Sequence, residues 1–367
     1  MRNATLPALH AELTTWHGAR RDVIAPAGLL RMEGTRLMLD GEPVLADDGV
    51  TTPTVEHTTW ETFDNGVSDK LQIPRAYLRR MKQQRPDLYA ENINSWLEGD
   101  ARKFLVRTLT QDPRGETDGA VVRALLTDSY RIIDNLDVLM AALEGIKQAG
   151  ITPRITGDLS ENRMTVRVVA EEVKALAPTL LKGYRSPFSG QTGDDNPTVF
   201  AGFVVSNSEV GNGAFAITPR LVVQVCDNGM TITKDASRSV HLGAKMGEGL
   251  VRWSSDTHEK NLALVTAQAR DSVATFLDTE YMARTIARLE AEAGREIADP
   301  QKSVEALGKK LAYTEAMQAD ILNYFIDGGQ RTSGGLMHAI TAAAQNYGTD
   351  DAWFMETTAV QAMSLAV

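Results

Sequence analysis

One cysteine, Cys226, occurs in 367 residues. A lone thiol excludes an internal disulfide framework and suits a reducing compartment, so a cytoplasmic location is expected. Metal-ligand spacings such as H-x-x-x-H or C-x-x-C are absent, which removes the common zinc frameworks. The six histidines are scattered, and none pairs with a serine or the cysteine in a recognisable nucleophile motif. No run of about 18 apolar residues occurs, so no membrane span is expected. The opening MRNATLPALHAELTTWHGARRDV has no apolar stretch of the secretory kind. Internal repeats and low-complexity tracts are also missing.

What remains is an ordinary globular composition, 43% hydrophobic and 23% charged, with enough residues for one large domain or two smaller ones. The formal net charge of −10 argues against a protein that coats duplex DNA over its whole surface. It leaves a local basic groove open, because the charge is uneven. Between Lys70 and Arg107 stand nine bases (Lys70, Arg75, Arg79, Arg80, Lys82, Arg85, Arg102, Lys103, Arg107) and four acids (Asp87, Glu91, Glu98, Asp100).

Residues 1–60 read as an irregular segment with a hairpin at Asp40-Gly41, between Arg36–Leu39 and Pro43–Leu45. Residues 61–252 read as the α+β core. Helices are expected over Pro74–Gln84 and Asp87–Leu97. Strands are expected over Lys103–Thr110 and Ala120–Ile133, then a helix over Asn135–Gln148 capped by Asp134 or Asn135. Thr152–Thr156 and Arg163–Val169 suggest a hairpin across Gly157-Asp158. In the second of these strands Arg163, Thr165 and Arg167 alternate with Met164, Val166 and Val168, a period of two that predicts one buried and one polar face. A long loop follows over Gly183–Pro197. Strands resume at Val199–Val205, Phe215–Thr218 and Leu221–Cys226, where Cys226 reads as a buried, inert thiol. Residues 253–367 read as helical and packed on the core, with helices over Asp256–Ala293, Ser303–Ile326, Ser333–Asn346 and Asp350–Met363. The expected class is α+β: a mostly antiparallel sheet covered by helices, with a helical C-terminal third.

Three patterns bear on chemistry. Gly211-Asn212-Gly213-Ala214-Phe215-Ala216 matches a dinucleotide fingerprint in letters, but a strand ending at Pro219 follows it rather than a helix, so a glycine turn is expected. Asp128, Asp134, Asp137, Glu209 and Asp227 would have to converge to hold a metal. Magnesium is the one cofactor these acidic corners admit, and capping and turn roles account for Asp134 and Asp227 without it. Arg75, Arg79 and Lys82 recur at i, i+4 and i+7 and share one helical face, with Arg80 beside it and Tyr77 and Trp96 nearby to stack on bases. The plain alternative is a solvated helix whose aromatics point inward. Arg107, Arg123, Tyr130, Arg131, Arg163 and Arg167 would extend a nucleic-acid groove if their strands are neighbours.

Leu125–Asn135, LLTDSYRIIDN, resembles a signature of the DUF932 family, phage- and plasmid-borne proteins of unassigned function. Leu71–Leu78 with Asn94–Leu97, Ser206–Gly211, Val225–Met230, His241–Gly243 and Leu336–Tyr347 are similar to further stretches of that family, in the same order. The resemblance implies a mobile-element protein in a bacterial host. It carries no catalytic assignment, and His241 is the first histidine it singles out for testing. Taken with the basic face, it leads to an expected non-enzymatic, single-stranded-DNA-binding or annealing protein, self-associating through small-residue helices such as Leu336–Ala344. An assembly protein without nucleic acid and a metal-dependent nuclease are the competing expectations.

Overall fold

Among the described residues, strand pairing gives two large sheets, with a strongly charged junction between them, and one two-stranded ribbon. The computed structural model describes residues 1–40, 44–46, 49–130, 132–227, 229–239 and 255–366. The Gly41 turn position, Arg131 and His241–Gly243 lie outside the described residues.

The larger sheet is antiparallel and runs in the order Ala4–Thr5, Arg154–Leu159, Met164–Leu176, Thr198–Asn207, Phe215–Val223 and Gly229–Thr231, with Ser237–Ser239 also pairing Phe215–Val223. The second runs Arg20–Pro26, Lys103–Leu109, Ala120–Thr127, Thr54–Thr59, Arg36–Asp40 and Arg31–Glu33. Its one parallel pair joins Thr54–Thr59 to Ala120–Thr127. The class is α+β, mostly antiparallel, with helices over the C-terminal third.

The first 60 residues are not irregular. They supply the helix Leu6–Gly18 and strands to both sheets. Arg36–Asp40 finds its partners in Arg31–Glu33, across a turn with Gly34 at φ 55°, and in Thr54–Thr59. With both its edges taken, the expected pairing across Asp40-Gly41 has no room, and Val44–Ala46 pairs Gly49–Thr51 instead. The other expected hairpin also moves. Gly157 and Asp158 lie inside a strand, and the turn falls at Ser160–Arg163. Gly157 is needed there for packing, since a Cβ would come within 2.4 Å of Leu9.

Pro219 does not end its strand. Its carbonyl accepts from Ile232 N–H, so the side on which Pro lacks a donor lies in the gap between the short partners Gly229–Thr231 and Ser237–Ser239. Two expected long helices each divide in two. Asp278 caps Thr279–Ala293 after Ser255–Phe276 ends, and Thr314 caps Glu315–Gly328 after Pro300–Leu311.

The apolar face of the larger sheet (Met164, Val166, Val168, Phe203, Val205) joins one core with Leu9, Leu13, Leu139, Val265, Ala269 and the C-terminal helices. The C-terminal region is thus packed on the sheet. Its helix Ser333–Ala343 is buried at every position, so the small residues expected at a subunit contact are used within the chain. A second core joins one face of the smaller sheet to the helices Glu61–Leu71, Arg75–Gln84 and Pro86–Leu97.

Close helix contact depends on Gly145, where a Cβ would stand 2.6 Å from Thr266 O and 2.7 Å from Ala269 Cβ. An open mid-helix glycine changed to alanine gains about 1 kcal/mol. Gly145→Ala is expected to reverse that sign and lose about 1–3 kcal/mol by overpacking. A urea titration of both proteins reads the sign directly.

Candidate functional site

The helix Arg75–Gln84 carries the basic face, and Pro86–Leu97 follows it. Leu78 and Met81 turn into the core and leave Arg75, Tyr77, Arg79 and Arg80 outside. Tyr77 is 50% exposed and Trp96, on the next helix, 58%. Both rings therefore point outward, Tyr77 about 60° around its helix from Arg80 and on the far side from Arg75 and Arg79. Arg75 bonds Asp69 at 2.9 Å, and Arg79 meets Glu61. Arg80 Nε donates to Gln84 Oε1 at 3.2 Å.

Lys82 belongs to a different setting. Its Nζ donates to Asp64 Oδ2 at 2.6 Å and to Thr59 O at 3.0 Å, while Asp64 also accepts from Tyr89 at 2.5 Å. Burial raises the Asp64 pKa, and Lys82 is the cation that opposes the shift. Lys82 is a structural tie between helix and strand rather than a surface cation.

The strand arginines are not on a surface groove. Arg107 is fully buried and Arg123 is 2% exposed. Arg107 lies directly across from Asp22 and holds it with two bonds, Nε–Oδ1 at 3.1 Å and Nη2–Oδ2 at 3.0 Å. The same guanidinium donates to Asp134 Oδ1 at 2.9 Å and to Glu209 O at 3.0 Å. Arg123 occupies a bulge, since Arg107 pairs Ala124 while Thr108 pairs Val122. Its Nη2 donates to Glu209 Oε2 at 2.9 Å, and its guanidinium lies over Trp16. Arg20 completes the cluster through Asp134.

Asp134 stands at the N-cap position of the Asn135–Gln148 helix, but its side chain does not cap. The cap comes from far along the chain: Glu209 Oε1 accepts from Asn135 N–H at 2.6 Å. Asn207 adds bonds to Ile133 O and Asn135 Oδ1, both at 2.9 Å. The segments Leu125–Asn135 and Ser206–Gly211 thus meet at one buried hub. Sequence reasoning did not find it. The signal available was the paired Asp134-Asn135 and Asn207/Glu209, polar residues in otherwise apolar runs.

Of the remaining expected residues, Tyr130 is half-buried and its hydroxyl donates to Ser208 O at 3.3 Å. Burial pushes its pKa up to about 12. Arg163 donates to Asn212 O at 3.0 Å and lies over Trp353. Arg167 is 6% exposed and bonds Asp158 at 2.6 Å. The structure therefore brings Arg107 with Arg123, and Arg75 with Arg79 and Arg80. Arg163 and Arg167 sit with the larger sheet. The polar face expected there is present but covered, with Glu356 of the last helix reaching both Arg167 and Arg220.

The acidic corners do not form an open metal cage. Asp134 and Glu209 meet with Asp22, but the Arg107 and Arg123 guanidiniums bond them. Asp227 is elsewhere, bonded twice to Arg154. Among the described residues no group of three or more His, Cys, Asp and Glu side chains is placed to hold a metal ion. His338 is packed in the interior, its ring 4.5 Å from that of Tyr184 and its pKa lowered to about 4 by burial. Cys226 lies beyond its strand and is only half-buried. No helix among the described residues is long and apolar enough to cross a membrane.

Burial alone would raise the Glu209 pKa, but Arg123 and Arg107 hold it below the usual carboxylate range. A carboxylate depressed in the folded state stabilises the fold above its unfolded pKa, roughly 4.3. That stabilisation is lost as the pH falls through the lower folded value. Glu209→Gln is expected to cost about 3–5 kcal/mol at neutral pH, because it leaves buried guanidiniums uncompensated. It should also flatten the loss of stability below roughly pH 4.3. Urea unfolding of both proteins from neutral to acid pH checks both effects.

No family model matches the chain, and no curated protein or solved structure does either.

Proposed function

We propose that the helices Arg75–Gln84 and Pro86–Leu97 form a surface for single-stranded nucleic acid, and that the protein acts by binding rather than by catalysis. The observation that carries this reading is the joint exposure of Tyr77 and Trp96 on the helix pair that presents Arg75, Arg79 and Arg80. Bases stack on exposed aromatic rings whatever their identity, and cations beside the rings follow the backbone.

The acids beside this face do not rule out such a role. Arg75 and Asp69 are each more than half exposed, as are Arg79 and Glu61. Ion pairs of that kind contribute about 0–1 kcal/mol, so phosphates can replace the carboxylates at little cost. The acidic net charge of the chain works against tight binding, while the phosphates met by its arginines make binding dependent on salt. The resemblance to phage- and plasmid-borne proteins supports the same reading. Self-association remains part of it, tested by sedimentation with and without the strand.

The test is anisotropy of a labelled oligothymidylate across a salt series. Removing three phosphate contacts in Arg75→Ala/Arg79→Ala/Arg80→Ala is expected to flatten the log–log slope by about 2 units for a single strand. Lys82 is left intact, since its loss would strand Asp64. Tyr77→Ala/Trp96→Ala should weaken binding by about 1–3 kcal/mol per stacked base while leaving the slope in place. Arg284→Gln, an exposed change on a C-terminal helix, is the control. An unchanged slope in the triple variant, or no binding by the unaltered protein at low salt, overturns the proposal. Product that appears only with magnesium would favour the nuclease alternative.

A further inference from the structure

A cavity of about 440 Å³ lies between the polar face of the larger sheet and the last helix, Thr349–Leu365. The register builds its floor. Thr156 pairs Arg167, Val169 pairs Gly202, and Gly202 pairs Arg220. A residue without a side chain thus lies between Val169 and Arg220, in a row whose other members are large. Glu356 faces this floor from the last helix.

Arg220 is 4% exposed and lines the cavity, yet its Nε and Nη1 have no hydrogen-bond partner among the described residues. The nearest acid is Glu356, whose Oε2 stands 3.4 Å from Arg220 Nη1 and 3.5 Å from Arg167 Nε. One carboxylate oxygen is thus divided between two guanidiniums and closely bonded to neither. The other acid of this interior, Asp158, is bonded to Arg167 at 2.6 Å. Arg154 at the rim is fully engaged, with its three nitrogens on Asp227 and Glu171. The half-buried Arg2 is bonded to the backbone carbonyls of Ala344, Gln345 and Tyr347, and Asp227 at the rim is held by Arg154, so neither relieves Arg220. The hub at the sheet junction differs, since Asp22, Asp134 and Glu209 each accept from a buried guanidinium at 3.1 Å or less. Burial lowers the Arg220 pKa, as expected of a cation short of a partner.

A buried guanidinium with unused donors is costly, and it is relieved by an anion that accepts from them. Gly229 shows that the chain makes room for this side chain: an ideal Cβ there would fall 1.5 Å from Arg220 Nε. The wall also carries an apolar strip, Val169, Val222 and the 50% exposed Phe188, beside the polar Asn3, Thr156 and Gln345. We propose that this cavity binds a small oxyanion, a carboxylate or phosphate monoester on an apolar body, with the anion seated on Arg220 and the body against Val222 and Phe188. The site is separate from the nucleic-acid surface and does not depend on it.

Calorimetric titration of the intact protein with phenyl phosphate, phenylacetate, inorganic phosphate and benzyl alcohol tests the proposal. Saturable binding is expected for at least one aromatic anion, and which of the two binds identifies the headgroup. Inorganic phosphate should bind more weakly because it lacks the body, and benzyl alcohol should bind least. Arg220→Met is expected to weaken the aromatic anion by about tenfold or more, equivalent to about 1.4 kcal/mol. Phe188→Glu places an anion at an exposed mouth position, should leave the fold intact, and is expected to weaken binding to a similar degree. It decides the matter alone if Arg220→Met does not fold by circular dichroism. Arg75→Ala/Arg79→Ala/Arg80→Ala should bind as the unaltered protein does. The proposal is overturned by no saturation up to about 10 mM of either aromatic anion, a range reaching weaker than about −3 kcal/mol. Affinity unchanged from the unaltered protein in both cavity variants, or benzyl alcohol binding as tightly as the anions, would also overturn it.

Discussion

A guanidinium taken out of water needs carboxylates around it, and that requirement organises the junction between the two sheets. Arg107 has no exposed surface and satisfies its donors on Asp22, Asp134 and the Glu209 carbonyl. Those acceptors come from an edge strand, from the approach to a helix, and from a corner about a hundred residues away in sequence. Desolvating several charges costs several kcal/mol each, so the arrangement holds only if every member arrives together. The hub therefore acts as a register device. It fixes where Leu125–Asn135 and Ser206–Gly211 meet, and through Glu209 Oε1 it also fixes the first turn of the Asn135–Gln148 helix.

This changes what the most distinctive sequence segments mean. An acidic-polar corner such as Asp134-Asn135 with Asn207-Ser208-Glu209 has the composition of a metal or catalytic site. In the structure its carboxylates are already committed to Arg20, Arg107 and Arg123. These polar corners are thus accounted for by architecture. Chemistry, where there is any, has to be sought at cations whose partners are incomplete or easily exchanged. Two places meet that condition in different ways. On the Arg75–Gln84 helix the pairs are exposed and weak. At Arg220 the cation is buried and under-partnered.

The parts of the fold that were legible are those set by local periodicity. Alternation along Met164–Val169 gave the strand and its apolar face. The pattern over Pro74–Gln84 gave the basic helix, whose inward face proves to be Leu78 and Met81. What periodicity cannot tell is which element covers the second face. Arg167 and Thr165 look like a solvated row, and the last helix, almost two hundred residues further on, closes over them. Arg107 and Arg123 were misjudged for the same reason. A charged residue in a strand signals a polar environment, but not whether water or a distant carboxylate supplies it. Lys82 fell on the correct helical face and still proved to be structural, because the helix before it turns Asp64 toward it. Pro219 marked a strand end by rule, and the strand continued because its missing donor falls between two short partners.

The same residue type therefore has three roles in one chain, separated by dielectric environment and partner count. Arg75 and Arg79 are solvated, and their acids are loosely held. Arg107 is buried and saturated, so exchanging a partner there would cost a large part of a typical folding free energy of about 5–15 kcal/mol. Arg220 is as deeply buried as Arg107, but its one acid is shared with Arg167 and a cavity lies beside it. A chain that needed Arg220 only for architecture could have matched it with a second carboxylate, as it matched Arg107. Instead Gly229 clears the space around the side chain, and Gly202 interrupts the row beneath it. Unused donors and adjacent volume both lower the energy of an anion entering from solvent. Neither would do so alone: donors without room admit no ligand, and room without donors admits no charge.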